Sequence, residues 1–141
     1  MKSILVLLAL LCLCSGCASS YRWKDPAAQF QNRKHFFVET EPSDGRQLHL
    51  AIASELRAMG YNVTSGHLTM IPKDADTLVS FQSRWEWDFT TYLIQLDIQV
   101  RDVKSGRILA SSSYHRPAIG GTSTTTLIQR VLKAIFPKKT P

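Results

Sequence analysis

The residues of this 141-residue chain whose types could do chemistry are three thiols, four imidazoles and a close group of large aromatic rings. Cys12, Cys14 and Cys17 all fall at the N-terminus, so the body of the chain has no thiol and can hold neither a disulfide framework nor a Cys-based zinc site. His35, His49, His67 and His115 are scattered without ligand spacing. No metal and no cofactor is expected. There is no Gly-x-Ser-x-Gly, no His-Glu-x-x-His and no phosphate-cradling Gly-rich loop after a strand, so no catalytic residue and no enzyme activity is expected either. Ser111-Ser112-Ser113 has no base nearby and suits a strand that needs small residues beneath a helix. Gly120-Gly121, ahead of a helical stretch, reads either as a flexible loop or as an anion site at a helix N-terminus. Trp85, Trp87, Asp88 and Tyr92 form the densest aromatic group. Both indoles share the parity of Phe81 and so belong under the helices, each needing a partner for its N–H. The other reading is a ligand cleft at the end of the sheet, with Asp88 near its rim.

Cys17 stands apart from the other thiols. Lys2 supplies a positive start, Ile4 to Leu13 is an apolar run too short to span a hydrocarbon core, and Ser15-Gly16 places small residues before the cysteine. Ser15-Gly16-Cys17 resembles the bacterial lipobox, with Cys14 at the position where that motif usually has Leu. The resemblance implies a signal peptide over 1–16, lipidation of Cys17 with palmitate-type acyl chains, and membrane attachment. Two or more chains suffice for stable anchoring. Ala18, where an inner-membrane retention signal usually carries Asp, implies the outer membrane, with the domain facing the periplasm. Cleavage before Cys17 removes only Lys2 from the 17 basic residues, which leaves a modest positive excess over 11 acidic ones. No nucleic-acid partner is expected from it.

Residues 17–34 read as the lipidated cysteine and a tether without sustained period. In it, Tyr21 and Trp23 either pack back on the domain or sit at headgroup depth. A single domain is expected over 35–137, followed by a basic tail over 138–141. Its first element is a strand over His35–Thr40, rich in aromatic and β-branched residues. Asp44 and Gln47 form a capping-box signal ahead of Leu48, Ala51, Ile52, Leu56 and Met59 at helical spacing. Gly60 stands where a helix ends in positive φ, and Tyr61–Thr64 reads as a short strand.

From Leu78 the pattern has period two. From Val79 to Phe89 the odd residues are apolar apart from Ser83, and even residues are apolar from Tyr92 to Val100, an inversion that predicts a hairpin turning between Thr90 and Thr91. Phe81 then faces Val100, Trp85 faces Leu96, Trp87 faces Ile94, and Arg84 lies opposite Asp97. A second hairpin at Lys104-Ser105-Gly106 sets Val100 by Ala110, Ile98 by Ser112 and Leu96 by Tyr114. Leu127, Ile128, Val131, Leu132, Ile135 and Phe136 then mark a final amphipathic helix. The expected fold is α+β: a two-layer sandwich with a mixed, mainly antiparallel sheet of about five strands, ordered β-α-β-β-β-β-α, and two helices packed on one face.

Ala75-Asp76-Thr77-Leu78-Val79, Trp85-Glu86-Trp87-Asp88-Phe89 with Tyr92, and Arg101 to Leu109 with its Asp-x-x-x-Gly turn resemble small Gram-negative lipoproteins that carry a domain of unknown function. That resemblance implies fold and location and transfers no catalytic residue. The function expected is that of a lipid-anchored envelope protein acting as a non-enzymatic interaction or assembly module with an envelope protein partner. The alternative is a domain that binds an amphiphile or a cell-wall fragment between Trp85, Trp87 and Tyr92.

Overall fold

The computed structural model describes residues 18–116 and 122–138. Cys17, Gly120 and Gly121 lie outside them, as does most of the basic tail. Phe36–Glu39, an aromatic and β-branched run, is a strand (β2) with both Phe36 and Val38 fully buried. Leu48–Ala58 follows as the first helix (α1), which Gly60 ends at φ 95°. Strand β3, Val63–Gly66, then lies parallel to β2, so β2, α1 and β3 make a crossover unit. Strand β4, Thr77–Asp88, pairs with the other side of β2, also in parallel. Strands β5 (Thr90–Asp102) and β6 (Ile108–His115) complete an antiparallel meander, and the second helix (α2) spans Thr124–Lys133. Ser123 caps α2 by accepting the Thr126 N–H at 3.1 Å.

The chain is thus α+β, with one mixed sheet and two helices. The sheet has six strands, in the order β1-β6-β5-β4-β2-β3, instead of the expected five. The additional strand is β1, Ser19–Lys24, which runs antiparallel to β6 from Ser19 opposite His115 to Lys24 opposite Ala110. The stretch expected to be a tether therefore belongs to the domain. Phe30, in a short 3₁₀ turn after β1, is only 1% exposed and packs against Phe136 with ring centroids 4.8 Å apart and the rings tilted by 54°. Phe36 and Tyr61 complete this aromatic group, Tyr61 lying 5.7 Å from Phe136 and donating its hydroxyl to the Pro137 carbonyl at 2.6 Å. Polar contacts fasten the same segment. The Arg33 guanidinium donates to Asp102 at 2.6 Å and to the Asp76 carbonyl at 3.1 Å, and the Lys34 N–H donates to the Asp76 carboxylate at 2.8 Å.

One core lies between the sheet and the helices. Leu48, Ile52, Leu56, Leu127, Ile128, Val131 and Leu132 meet Val79, Phe81, Leu96, Ile98 and Val100 there. The second hairpin has the expected register, with Val100 by Ala110, Ile98 by Ser112 and Leu96 by Tyr114, and Gly106 turns it at φ 68°. The first hairpin does not. Phe81 pairs with Ile98, Val79 with Val100, and Arg84 with Gln95 instead of Asp97. The turn is tighter than expected because Phe89 itself takes the left-handed conformation at φ 56° between Asp88 and Thr90. Beyond Arg84 the ladder skips a residue, so that Trp85 pairs with Leu93 and Ile94 is the bulged residue.

Candidate functional site

The bulge decides what the aromatic group can do. Paired residues share a sheet face, so Trp85 with Leu93 and Trp87 with Thr91 lie on the helix side. Glu86 with Tyr92 and Asp88 with Thr90 lie on the other. Tyr92 and Asp88 are thus separated from the two indoles by the thickness of the sheet, and the four candidates do not line one cleft. The expectation that both tryptophans lie in the core holds for neither in full. Trp85 is partly buried against the core, donates its indole N–H to Ser83 Oγ at 3.3 Å, and carries the Arg46 guanidinium 4.5 Å from its ring centre. Trp87, one pair further out, is 74% exposed, and Phe89 at the turn is 92% exposed. The hairpin runs past the cover of the helices, so the face that is dry at Phe81 is wet at Trp87.

A second feature lies on the sheet face turned away from the helices. A shallow trough of about 530 Å³ crosses it, with Tyr21 of β1 at one side and Glu39 and Glu41 at the other. Gln82, Asp97 and Ser113 form part of its floor. Asp97 accepts hydrogen bonds from Ser113 Oγ and, at 2.6 Å, from Gln95 Nε2. Ser111 and Ser113 therefore face the trough, and only Ser112 is buried on the helix side as a small residue should be. Sequence reasoning missed this surface. Its signal was the polar half of the alternation, Ser80, Gln82, Asp97 and Gln99, which reads as ordinary solvated face until β1 adds a wall.

Two of the four imidazoles, His35 and His49, are engaged locally. His35 is hydrogen-bonded to Asp74 at 2.9 Å and to Thr64 Oγ1 at 2.8 Å, and His49 to Asp44 at 2.9 Å. Among the described residues no group of three or more His, Cys, Asp or Glu is placed to hold a metal ion. No helix among them is long and apolar enough to cross a membrane.

No protein-family profile matches the chain, and no curated protein does. Solved structures are similar in fold. PelC from Paraburkholderia phytofirmans, crystallised as a dodecamer, is 18% identical with a TM-score of 0.65, and the match covers 88% of this chain and 100% of that one. A single-substitution variant of it, also a dodecamer and in another space group, gives a TM-score of 0.61 at 18% identity over 87% of this chain and 100% of that one. A PDZ domain protein from Parabacteroides distasonis is 15% identical with a TM-score of 0.47, over 91% of this chain and 37% of that one. The two PelC structures establish a shared fold.

Proposed function

We propose that the chain is a lipoprotein of the bacterial outer membrane, anchored through acylated Cys17 and facing the periplasm, and that its domain is a non-enzymatic assembly module. Its first partner is further copies of itself, on which another envelope protein docks. The observation that carries this reading is the likeness, across the whole length of the other chain, to a protein crystallised as a dodecamer in two crystal forms. The open edges of the sheet support it. β1 is exposed along all of its residues and, among the described residues, leaves one row of backbone donors and acceptors without a strand partner, with β3 at the opposite edge. Head-to-tail contacts between two different surfaces of one chain close into rings when the rotation permits.

The test is the mass of the mature lipoprotein extracted in mild detergent, read by light scattering and native mass spectrometry, together with crosslinking in intact cells. A discrete multiple of the subunit mass is expected, and crosslinks should recover an envelope protein beside the self-contacts. A monomer at every concentration, with no crosslinked species, overturns the assembly reading.

A further inference from the structure

Strand register places the N-terminus and the exposed aromatic tip at the same end of the sheet. Ser19 pairs with His115, His115 with Gln95, and Gln95 with Arg84, so these residues form one row across β1, β6, β5 and β4. The chain enters β1 from this row. On the same side of it, among the described strands, β4 and β5 continue from Arg84 to Phe89, a further reach of about 17 Å at strand spacing. Trp87 and Phe89 are the exposed large apolar residues on that projection.

We propose that the β4–β5 tip is a second membrane contact, in which Trp87 and Phe89 enter the headgroup layer of the bilayer that holds Cys17. The inference rests on the lipid anchor of the proposed function. Two residue steps join Cys17 to Ser19, and extended chain spans at most about 7 Å over them. A domain held that close, with its strands standing on the surface, brings a projection more than twice as long to the bilayer. The tip therefore meets the bilayer. Its chemistry fits that depth: an indole and a phenyl ring at the front, as favoured at membrane interfaces. Arg46 and Arg84 stand behind, balanced by Glu86 and Asp88, so the contact is apolar and not electrostatic.

The probe is the full lipidated chain, its N-terminus verified by mass spectrometry, in phosphatidylethanolamine–phosphatidylglycerol vesicles with brominated acyl chains, which quench nearby tryptophan. Quenching is expected in the wild type and should fall at least twofold in Trp87→Phe, because Trp23 and Trp85 lie farther back. It should be insensitive to salt. In a separate arm, the unlipidated Cys17→Ser chain should bind the same vesicles weakly, about tenfold less in Trp87→Ser/Phe89→Ser. Acylated protein whose Trp87 is unquenched by bromolipid but open to acrylamide overturns the inference and leaves the anchor standing. Trp87 shielded from both quenchers overturns it in favour of a contact between copies. A chain without acyl groups on Cys17 removes anchor and inference together.

Discussion

The Asp44 carboxylate accepts the N–H groups of Leu48 and His49 at 2.9 and 3.1 Å and bonds His49 Nδ1 at 2.9 Å. Burial pushes its pKa up, but the bonds from His49, Leu48 and Arg46 draw it down and prevail, leaving it below the ordinary value. Asp102 is held well below the carboxylate range by the Arg33 guanidinium and by the Ser105 N–H and hydroxyl. Both pKa values are depressed on folding, so their contributions are complete above the unfolded carboxylate value and are lost as pH falls below about 4. Asp44→Ala should cost about 1–2 kcal/mol at neutral pH. Urea titrations should show this gap narrowing near pH 3, where the wild type has lost part of the same contribution. A gap constant with pH would mean that Asp44 acts by shape alone. Phe89 poses the opposite case. A phenylalanine at φ 56° is strained, and Phe89→Gly should raise stability by about 1 kcal/mol in thermal melts. If the tip enters lipid, the same change weakens vesicle binding, so the strain is kept for the ring it presents.

At the level of elements, the test case is the segment ahead of β2. Phe30→Ala should cost about 3–5 kcal/mol, because its ring fills the space between Lys24 and Phe136. A chain started at His35 should fail to give a cooperative unfolding transition, whereas a true tether could be cut without loss. The reason this segment was not legible is physical. β1 is an edge strand with every residue exposed, so its sequence carries no alternation of dry and wet positions. The second hairpin was legible down to its pairs, since Gly106 supplies the one residue that a tight left-handed turn favours. The first was legible as a hairpin but not in register. A left-handed Phe89 has no sequence signal, and the bulge at Ile94 breaks the period that a parity argument assumes. That one irregularity moves Tyr92 to the face opposite Trp85 and Trp87, whereas Asp88, next to Trp87 in an alternating strand, lies opposite the indoles by parity alone. Only the apolar half of the β4–β5 alternation was informative; the trough on the polar half needed the position of β1 before it existed as a surface.

For the molecule as a whole, attachment and folding should be separable. Cys17→Ser is expected to leave the protein either uncleaved at that site or released from the membrane fraction to the soluble fraction on sedimentation, while its thermal transition stays within error of the wild type, since the core is built from residues beyond it. Loss of the transition along with the anchor would mean that the lipid holds the fold together. The pairing of β1 with β6 has a consequence in time. Tyr21 must find Ser113, and the chain between them contains every other strand. The first strand to be made is thus the last that can be paired, and contacts so far apart in sequence slow folding toward the millisecond-to-second range. Until β6 emerges, β1 is an open edge available to any neighbouring chain. A destabilising change in β1, such as Trp23→Ala, should leave the refolding rate nearly unchanged and speed unfolding, which stopped-flow measurements would read directly. The same late-closing edge is the one a second copy could occupy first: how quickly each chain closes its own sheet sets whether copies meet as finished domains or as exchanged strands.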